Sequence, residues 1–342
     1  MSYGKQFNTL LNHLSEGVII VSEDFDILFA NEIAIKYFGN KIIDIPIYNV
    51  IRNSELIDAI NENRSIDTMF LYNSSIGKHI LELSYHHKKN NLGIMIIRDK
   101  TIEEKFQNVR KDLIANVSHE LRSPLTTISG FIETLQNEEI DQNQRAKFLG
   151  IMKEESNRMD RIISDLLSLS KIEINMYAEL DEKINLIDQI KTAKDALDLR
   201  ADELGKSINM RYPDYDTPNI SADSDQIIEV FHNLIDNAIK YSHENSAIDI
   251  LVELIERQDR NYLKSSVINI GTPISEEHLP RLTERFYRVD KGRSRSMGGT
   301  GLGLAIVKHI VARHRGHLEV KSEVNKETCF TVMLPRFDEN IL

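Results

Sequence analysis

Between Asn116 and Leu125 the chain reads Asn-Val-Ser-His-Glu-Leu-Arg-Ser-Pro-Leu. A neutral imidazole is a competent nucleophile at neutral pH, so His119 suits a phosphoryl acceptor. The adjacent Glu120 suits a group that holds the ring tautomer and takes its proton. Pro124 lacks an N–H and crowds the carbonyl of Glu120, which predicts a helix that bends or loosens beside His119. The plainer reading is a surface His-Glu pair in a kinked helix, and this stretch alone favours it.

A second group lies between Asp225 and Tyr241. Asn233 and Asn237 share one helix face, where two amide oxygens can meet a hard cation such as Mg2+, and Lys240 follows close to that face with positive charge for phosphate. The apolar residues Ile227, Val230, Phe231, Leu234 and Ala238 mark the opposite face, so packing and binding are compatible. The third group is the run Gly298-Gly299-Thr300-Gly301-Leu302-Gly303 ahead of an apolar helix, a backbone that allows close approach of an anion to a helix N-terminus. It is not a P-loop, because Gly-Lys-Ser/Thr is missing here, and Gly205-Lys206-Ser207 has Arg200 where the first glycine belongs. Just upstream, Arg281, Arg285, Arg288, Lys291, Arg293 and Arg295 form a basic run suited to a lid over polyphosphate.

The elements that must position these groups follow from hydrophobic period. Residues 1–100 read as a small α+β sheet domain, with strands over 17–22, 26–30, 68–71, 79–85 and 92–98 and a helix at 31–38 closed by Gly39. From Thr101 the apolar residues Ile102, Phe106, Val109, Leu113 and Val117 fall at helical spacing, predicting a long helix to about Leu135. A second helix carries Phe148, Ile151, Met159, Ile162, Leu166 and Leu169. Two helices cannot enclose a core, so this hairpin is expected to dimerise into a four-helix bundle. The remainder alternates helices (186–204, 225–241) with strands (208–212, 248–256, 262–270, 317–322, 329–334), the pattern of an α/β sandwich.

Composition sets bounds on function. With 42 Lys and Arg against 53 Asp and Glu the formal charge is −11, which disfavours a general nucleic-acid binder. The single cysteine, Cys329, forms no intrachain disulfide and supplies no zinc site alone, which fits a reducing setting. No apolar run approaches the roughly 18–20 residues of a membrane span, so the chain is expected to be cytoplasmic, with a membrane partner as the route to any membrane signal. His309, His314 and His317 straddle a helix end and a Gly316 turn, a poor arrangement for a metal.

In this order the segments resemble a two-component sensor histidine kinase. The stretch around His119 is similar to that family's H-box, Asn233–Tyr241 to its N-box, Glu284–Arg288 to its F-box and Gly299–Leu304 to its G2 box. The wording of the boxes is most similar to the phosphate-regulon sensor kinases. Glu16-Gly-Val-Ile-Ile-Val and Ile27-Leu-Phe-Ala-Asn31 resemble a PAS sensor domain. The resemblance implies a PAS-like sensor over residues 1–100, a dimerisation and phosphotransfer hairpin over 101–175 and a gyrase- and chaperone-type ATPase over 176–342. It implies that His119, assisted by Glu120, takes the γ-phosphoryl group of ATP and passes it to an aspartate on a response-regulator receiver domain, and that the chain is a homodimer with an unidentified PAS ligand or protein input. Asn233 and Asn237 would hold Mg2+, Lys240 would meet phosphate and Tyr241 the adenine. Asn269, Gly271, Tyr287, Arg288, Gly299, Thr300, Gly301, Leu302, Gly303 and Thr328 complete the implied nucleotide site.

Four positions depart from the family pattern. Asn269 stands for an aspartate in Asn269-Ile-Gly271-Thr-Pro273, where Pro273 also replaces a glycine. Thr283 replaces an aromatic of the F-box, Glu327 replaces a late glycine, and Ser123 stands where a phosphatase motif has Thr or Asn. A serine hydroxyl there can still orient water. Two other classes compete: a clamp ATPase of the chaperone and repair type without phosphohistidine, and a PAS scaffold that binds no nucleotide.

Overall fold

A computed structural model of the chain describes residues 9–62, 64–74, 77–88, 92–136, 140–176, 178–180, 182–213, 218–257, 260–290, 292, 299–323 and 327–337. They divide into two compact units, Met1–Ala115 and Asn116–Leu342.

The first unit is a five-stranded antiparallel sheet of β1 (Gly17–Val21), β2 (Ile27–Ala30), β3 (Ile66–Ser74), β4 (Gly77–Lys88) and β5 (Leu92–Asp99), in the order β2-β1-β5-β4-β3. Period-two burial gives the sheet one inward face, with Leu81, Leu83, Tyr85, Met95 and Ile97 all buried. Between β2 and β3 run α1 (Glu32–Phe38), α2 (Ile47–Val50) and α3 (Ser54–Asn61). Sequence reading anticipated only α1; α2 has four residues, too few to show a period, whereas α3 has eight. In α3 the Asn53 cap on Leu56 N and the buried Leu56, Ala59 and Ile60 are its only local marks.

Asn31 ties this unit together. Its Oδ1 accepts from Val18 N and Ala34 N, and its Nδ2 donates to the carbonyls of Leu11 and Glu16, so a fully buried amide has all its partners. At the end of β5, Asp99 takes hydrogen bonds from Thr101 N, Tyr37 Oη and His79. Burial would raise the Asp99 carboxyl, but these bonds bring it down to about 2, while burial and Asp99 push the Tyr37 phenol up to about 12.

Helix α4 (Thr101–Leu135) then runs continuously through Pro124. The missing N–H leaves the helix unbroken, and two hydroxyls just after the proline bond back to the turn before, Thr126 to the Arg122 carbonyl and Thr127 to that of Ser123. Helix α5 (Gln142–Ile174), capped by Asp141 on Gln144 N, completes the hairpin, with Phe131 and Phe148 stacked 4.9 Å apart. The apolar stripe stays uncovered along much of both helices, Ile102 at 83% and Phe106 at 72% exposure being the extremes on α4. No helix among the described residues is long and apolar enough to cross a membrane.

In the second unit, β7 (Ser207–Arg211), β9 (Ala247–Arg257), β10 (Arg260–Asn269), β11 (His317–Ser322) and β12 (Thr328–Pro335) form a sheet ordered β11-β12-β10-β9-β7, in which only β7 and β9 pair in parallel. A small ladder of β6 (Lys183–Asn185) and β8 (Asn219–Ser221) escaped sequence reading for lack of length. Helices α6 (Leu186–Glu203), α7 (Ser224–Tyr241) and α8 (Gly303–Arg313) supply the second layer of a common core centred on Phe231, Leu234, Val267 and Ile306. Leu169 and Ile172, at the end of α5, belong to the same core.

His314 closes α8 without any metal role. Its Nε2 can only accept, because Asp223 N–H faces it at 3.1 Å, and its Nδ1 must carry the proton toward the Ile310 carbonyl at 2.8 Å. Among the described residues no three ligand-type side chains cluster for a metal. Burial holds the imidazole below the ordinary histidine range. A depressed folded value gives stability present above the unfolded pKa and lost as pH falls through it toward the folded one. The thermal midpoint should therefore drop below about pH 6.5, and His314→Gln should flatten that slope; each kcal/mol is worth about 2–4 °C in a unit of this size. Thermal scans of both proteins across pH check this, and identical slopes would refute it.

Candidate functional site

Helix α7 is where the site starts. Asp223 caps it on Gln226 N, its apolar face is fully buried, and the other face presents Asn233, Asp236, Asn237 and Lys240 to a cavity of about 240 Å³. Asn233 Nδ2 donates to the Glu229 carbonyl at 3.0 Å, which fixes the amide and leaves Oδ1 toward α8. Lys240 Nζ sits 2.6 Å from Asp236, and Arg200 also bonds Asp236, so this carboxylate anchors the lysine in the cavity wall. Asp236 was not singled out from the sequence, although its i, i+4 spacing to Lys240 is a readable signal.

Glycines shape the rest. A Cβ on Gly303 would lie 2.8 Å from Asn233 Oδ1, one on Gly301 would lie 2.9 Å from the backbone of Phe286, and one on Gly271 would lie 2.0 Å from the Tyr241 carbonyl oxygen. Gly301 also adopts φ +75° and accepts from Phe286 N, itself at φ +62°. These contacts bring the glycine loop against α7 and seat the N-terminus of α8 at the cavity, where Leu302 offers no side-chain cap and the first N–H groups stay available to an anion. Leu302 is buried in the core and does not line the cavity. Tyr241, Asn269, Tyr287, Arg288, Gly299, Thr300 and Thr328 do line it, whereas Gly271 acts through its packing on Tyr241.

The described members of the basic run, Arg281, Arg285 and Arg288, have different partners. Arg288 alone of its described members lines the cavity, with its guanidinium bonded to the Gly299 carbonyl. Arg285 instead pairs with Glu173 on α5, and Arg281 lies 4.3 Å over the Tyr287 ring and bonds Glu284. Their long side chains are claimed by nearer partners. Lys291, Arg293, Arg295 and Gly298 lie outside the described residues. Tyr287 is further fixed by a 2.6 Å hydrogen bond to His278, and Thr283 receives Lys308 Nζ at 3.4 Å.

His119 projects from α4 with an exposed side chain, while Glu120 and Ser123 are half-buried. Glu120 accepts from Arg158 at 2.5 Å, and Arg288 approaches the same carboxylate at 3.8 Å. Arg158, on α5 and only 4% exposed, is thus a residue of the site that local sequence could not announce. So is Asp165, which receives the Thr300 hydroxyl at 2.6 Å, while Ser168 donates to Glu229. Burial pushes both the Asp165 and the Glu229 carboxyls up.

Comparison with known proteins matches residues 109–175 to the His Kinase A (phospho-acceptor) domain and residues 222–338 to the histidine kinase-, DNA gyrase B- and HSP90-like ATPase. The phosphate regulon sensor protein PhoR of Pseudomonas aeruginosa is 34% identical over 324 residues, covering 93% of this chain and 71% of the relative. The sensor protein SrrB of Staphylococcus aureus is 32% identical over 337 residues, covering 96% of this chain and 55% of the relative, so this chain spans about half of that protein. A solved structure of the histidine kinase ThkA in complex with the response regulator protein TrrA shares the fold, with a TM-score of 0.53, 23% identity, and coverage of 97% of this chain and 99% of that one.

Proposed function

Because this chain belongs to the two-component sensor histidine kinases and is an ATP-dependent protein-histidine kinase, we propose that His119 is its phosphoacceptor and that the cavity beside α7 and α8 is the ATP site. The observation that carries this reading is Arg288: one guanidinium bonds the glycine loop at Gly299 and stands 3.8 Å from Glu120, next to His119. Phosphoryl transfer needs positioning and charge neutralisation more than covalent assistance, and a buried cation between donor cavity and acceptor helix supplies both. Glu120, held by Arg158, orients the acceptor imidazole and takes its proton. Lys240, the α8 N-terminus and Arg288 receive the phosphates. Tyr241, Tyr287 and Thr328 line the nucleotide.

The donor set fits Mg2+: Oδ1 of Asn233, which no described residue bonds, and the amide oxygen of Asn237 are hard oxygens on one helix face, and Mg2+ commonly takes one or two protein ligands beside phosphate oxygens and water. When bound there, it would neutralise phosphate charge.

The order β2-β1-β5-β4-β3, with three helices between β2 and β3, supports a PAS-like sensor over residues 1–100 with an unidentified ligand or protein input. Residues 101–175 would be the dimerisation and phosphotransfer hairpin and 176–342 the ATPase. The exposed stripe along α4 and α5 supports pairing of two hairpins into a four-helix bundle. The recipient of the phosphoryl group would be the receiver domain of a response regulator, a response regulator protein being the partner of ThkA in its solved complex.

Incubation with γ-labelled Mg-ATP should yield a phosphoprotein labile to acid and stable to base, whose label a receiver domain removes. Label stable to acid, or steady ATP hydrolysis with no labelled protein, would overturn the assignment. Arg288→Ala should lower the labelling rate by about 100-fold or more, with a far smaller change in ADP affinity, because the lost contact reaches the acceptor side of the reaction. Equal losses in rate and affinity would refute that role.

A further inference from the structure

Asn269 ends β10 on the cavity floor, 4% exposed, yet among the described residues no protein group bonds either atom of its amide. Its neighbour across the β10–β12 pairing, Thr328, commits its hydroxyl to Ser322 at 2.8 Å. The cavity's cations, Lys240 and Arg288, and the N-terminus of α8 mark the phosphate end. The floor with Asn269, flanked by the apolar Ile274, Leu282 and Phe330, is left for the base. A buried amide open to the cavity and free of protein partners is a reader of that base.

A carboxylate here can only accept. It suits the 6-amino group of adenine but opposes the neighbouring N1 lone pair, and it opposes the 6-oxygen of an oxopurine. An amide has a donor beside an acceptor. With Oδ1 toward the 6-amino group and Nδ2 toward N1 it pairs with adenine; turned over, Nδ2 meets a 6-oxygen and Oδ1 meets an N1–H. The turn breaks no hydrogen bond to the described residues, since none of them holds the amide.

We propose that Asn269 makes this kinase tolerant at the purine 6-position, so that 6-oxopurine nucleoside triphosphates serve as phosphoryl donors alongside ATP. The inference rests on the cavity being the nucleotide site proposed above. With inosine triphosphate the bond from the His119 nitrogen to the γ-phosphorus forms as the bond from that phosphorus to the β–γ bridging oxygen breaks. Inosine diphosphate leaves, and the imidazole gives up its proton toward Glu120.

Inosine triphosphate is the deciding probe, because it differs from ATP only in the 6-substituent and the N1 proton. On the full chain, γ-labelled Mg-ITP and Mg-ATP should label with kcat/KM values within about tenfold of one another, while Asn269→Asp should lower use of ITP by about 100-fold relative to ATP. In parallel, calorimetry on the unmodified chain should give ADP and IDP dissociation constants within about tenfold. ATP labelling with an ITP rate about 100-fold lower or less overturns the inference while leaving the kinase assignment intact. If neither nucleotide labels His119, the kinase assignment fails and the binding comparison still decides: similar affinities support base tolerance, and a preference for ADP of about 100-fold overturns it.

Discussion

His119→Gln is expected to abolish phosphorylation of the chain by ATP, a loss on the order of 10⁴-fold or more, because glutamine keeps the polarity and approximate size of the side chain but has no nucleophilic nitrogen. The substitution falls on an exposed helix position, so stability should change by no more than about 0.5 kcal/mol. His119 is not among the residues lining the cavity, so ADP affinity should be unchanged. Labelling, calorimetry and a denaturation curve on the same preparation separate these outcomes. Full labelling of the variant would place the phosphoryl group elsewhere.

Gly271→Ala is expected to cost at least about 100-fold in nucleotide affinity, near 2.7 kcal/mol, together with about 1–3 kcal/mol of stability. The added methyl would sit 2.0 Å from the Tyr241 carbonyl oxygen, 2.9 Å from its carbon and 3.1 Å from Ser242 Cα. All three are backbone atoms, so no side-chain rotation relieves the contact. Gly271 bridges Ser242 in antiparallel fashion while His243 N bonds the Ile270 carbonyl, so the strand end and the end of α7 must separate. Lys240 and Tyr241 would leave Asn269. Gly130 gives the contrast: nothing lies within 4 Å of a Cβ there, and in a helix interior alanine should stabilise by roughly 1 kcal/mol. If Gly271→Ala binds ADP as the unmodified chain does, the close approach at Tyr241 is not what shapes the site.

The parts of the site that could be read in the sequence are those written within one element. Asn233, Asn237 and Lys240 share a face of α7 by helical spacing, Gly299, Gly301 and Gly303 lie in a loop ahead of an apolar helix, and all six line one cavity. Arg158, Asp165 and Glu173 were not legible. Each lies on α5 in an ordinary amphipathic pattern and acquires meaning only by meeting Glu120, Thr300 and Arg285 across the fold. The described arginines of the basic run part ways for the same reason. Three arginines close in sequence look equivalent, but a guanidinium on a long flexible stem goes to whichever acceptor the packing brings nearest, and only Arg288 was left for the cavity.

By itself, then, the sequence determined the chemical kind of this protein: an imidazole beside a carboxylate, two amides and a lysine on one helix face, and a glycine loop before a helix, because these depend on spacing along a few turns. What only the tertiary structure decided is which charges meet, that Asp236 anchors Lys240, that Arg288 stands between Glu120 and Gly299, and that the Asn269 amide faces the cavity without a partner among the described residues. Those facts depend on contacts between residues far apart in the chain, whose geometry is set by the packing of the whole core and not by any local pattern.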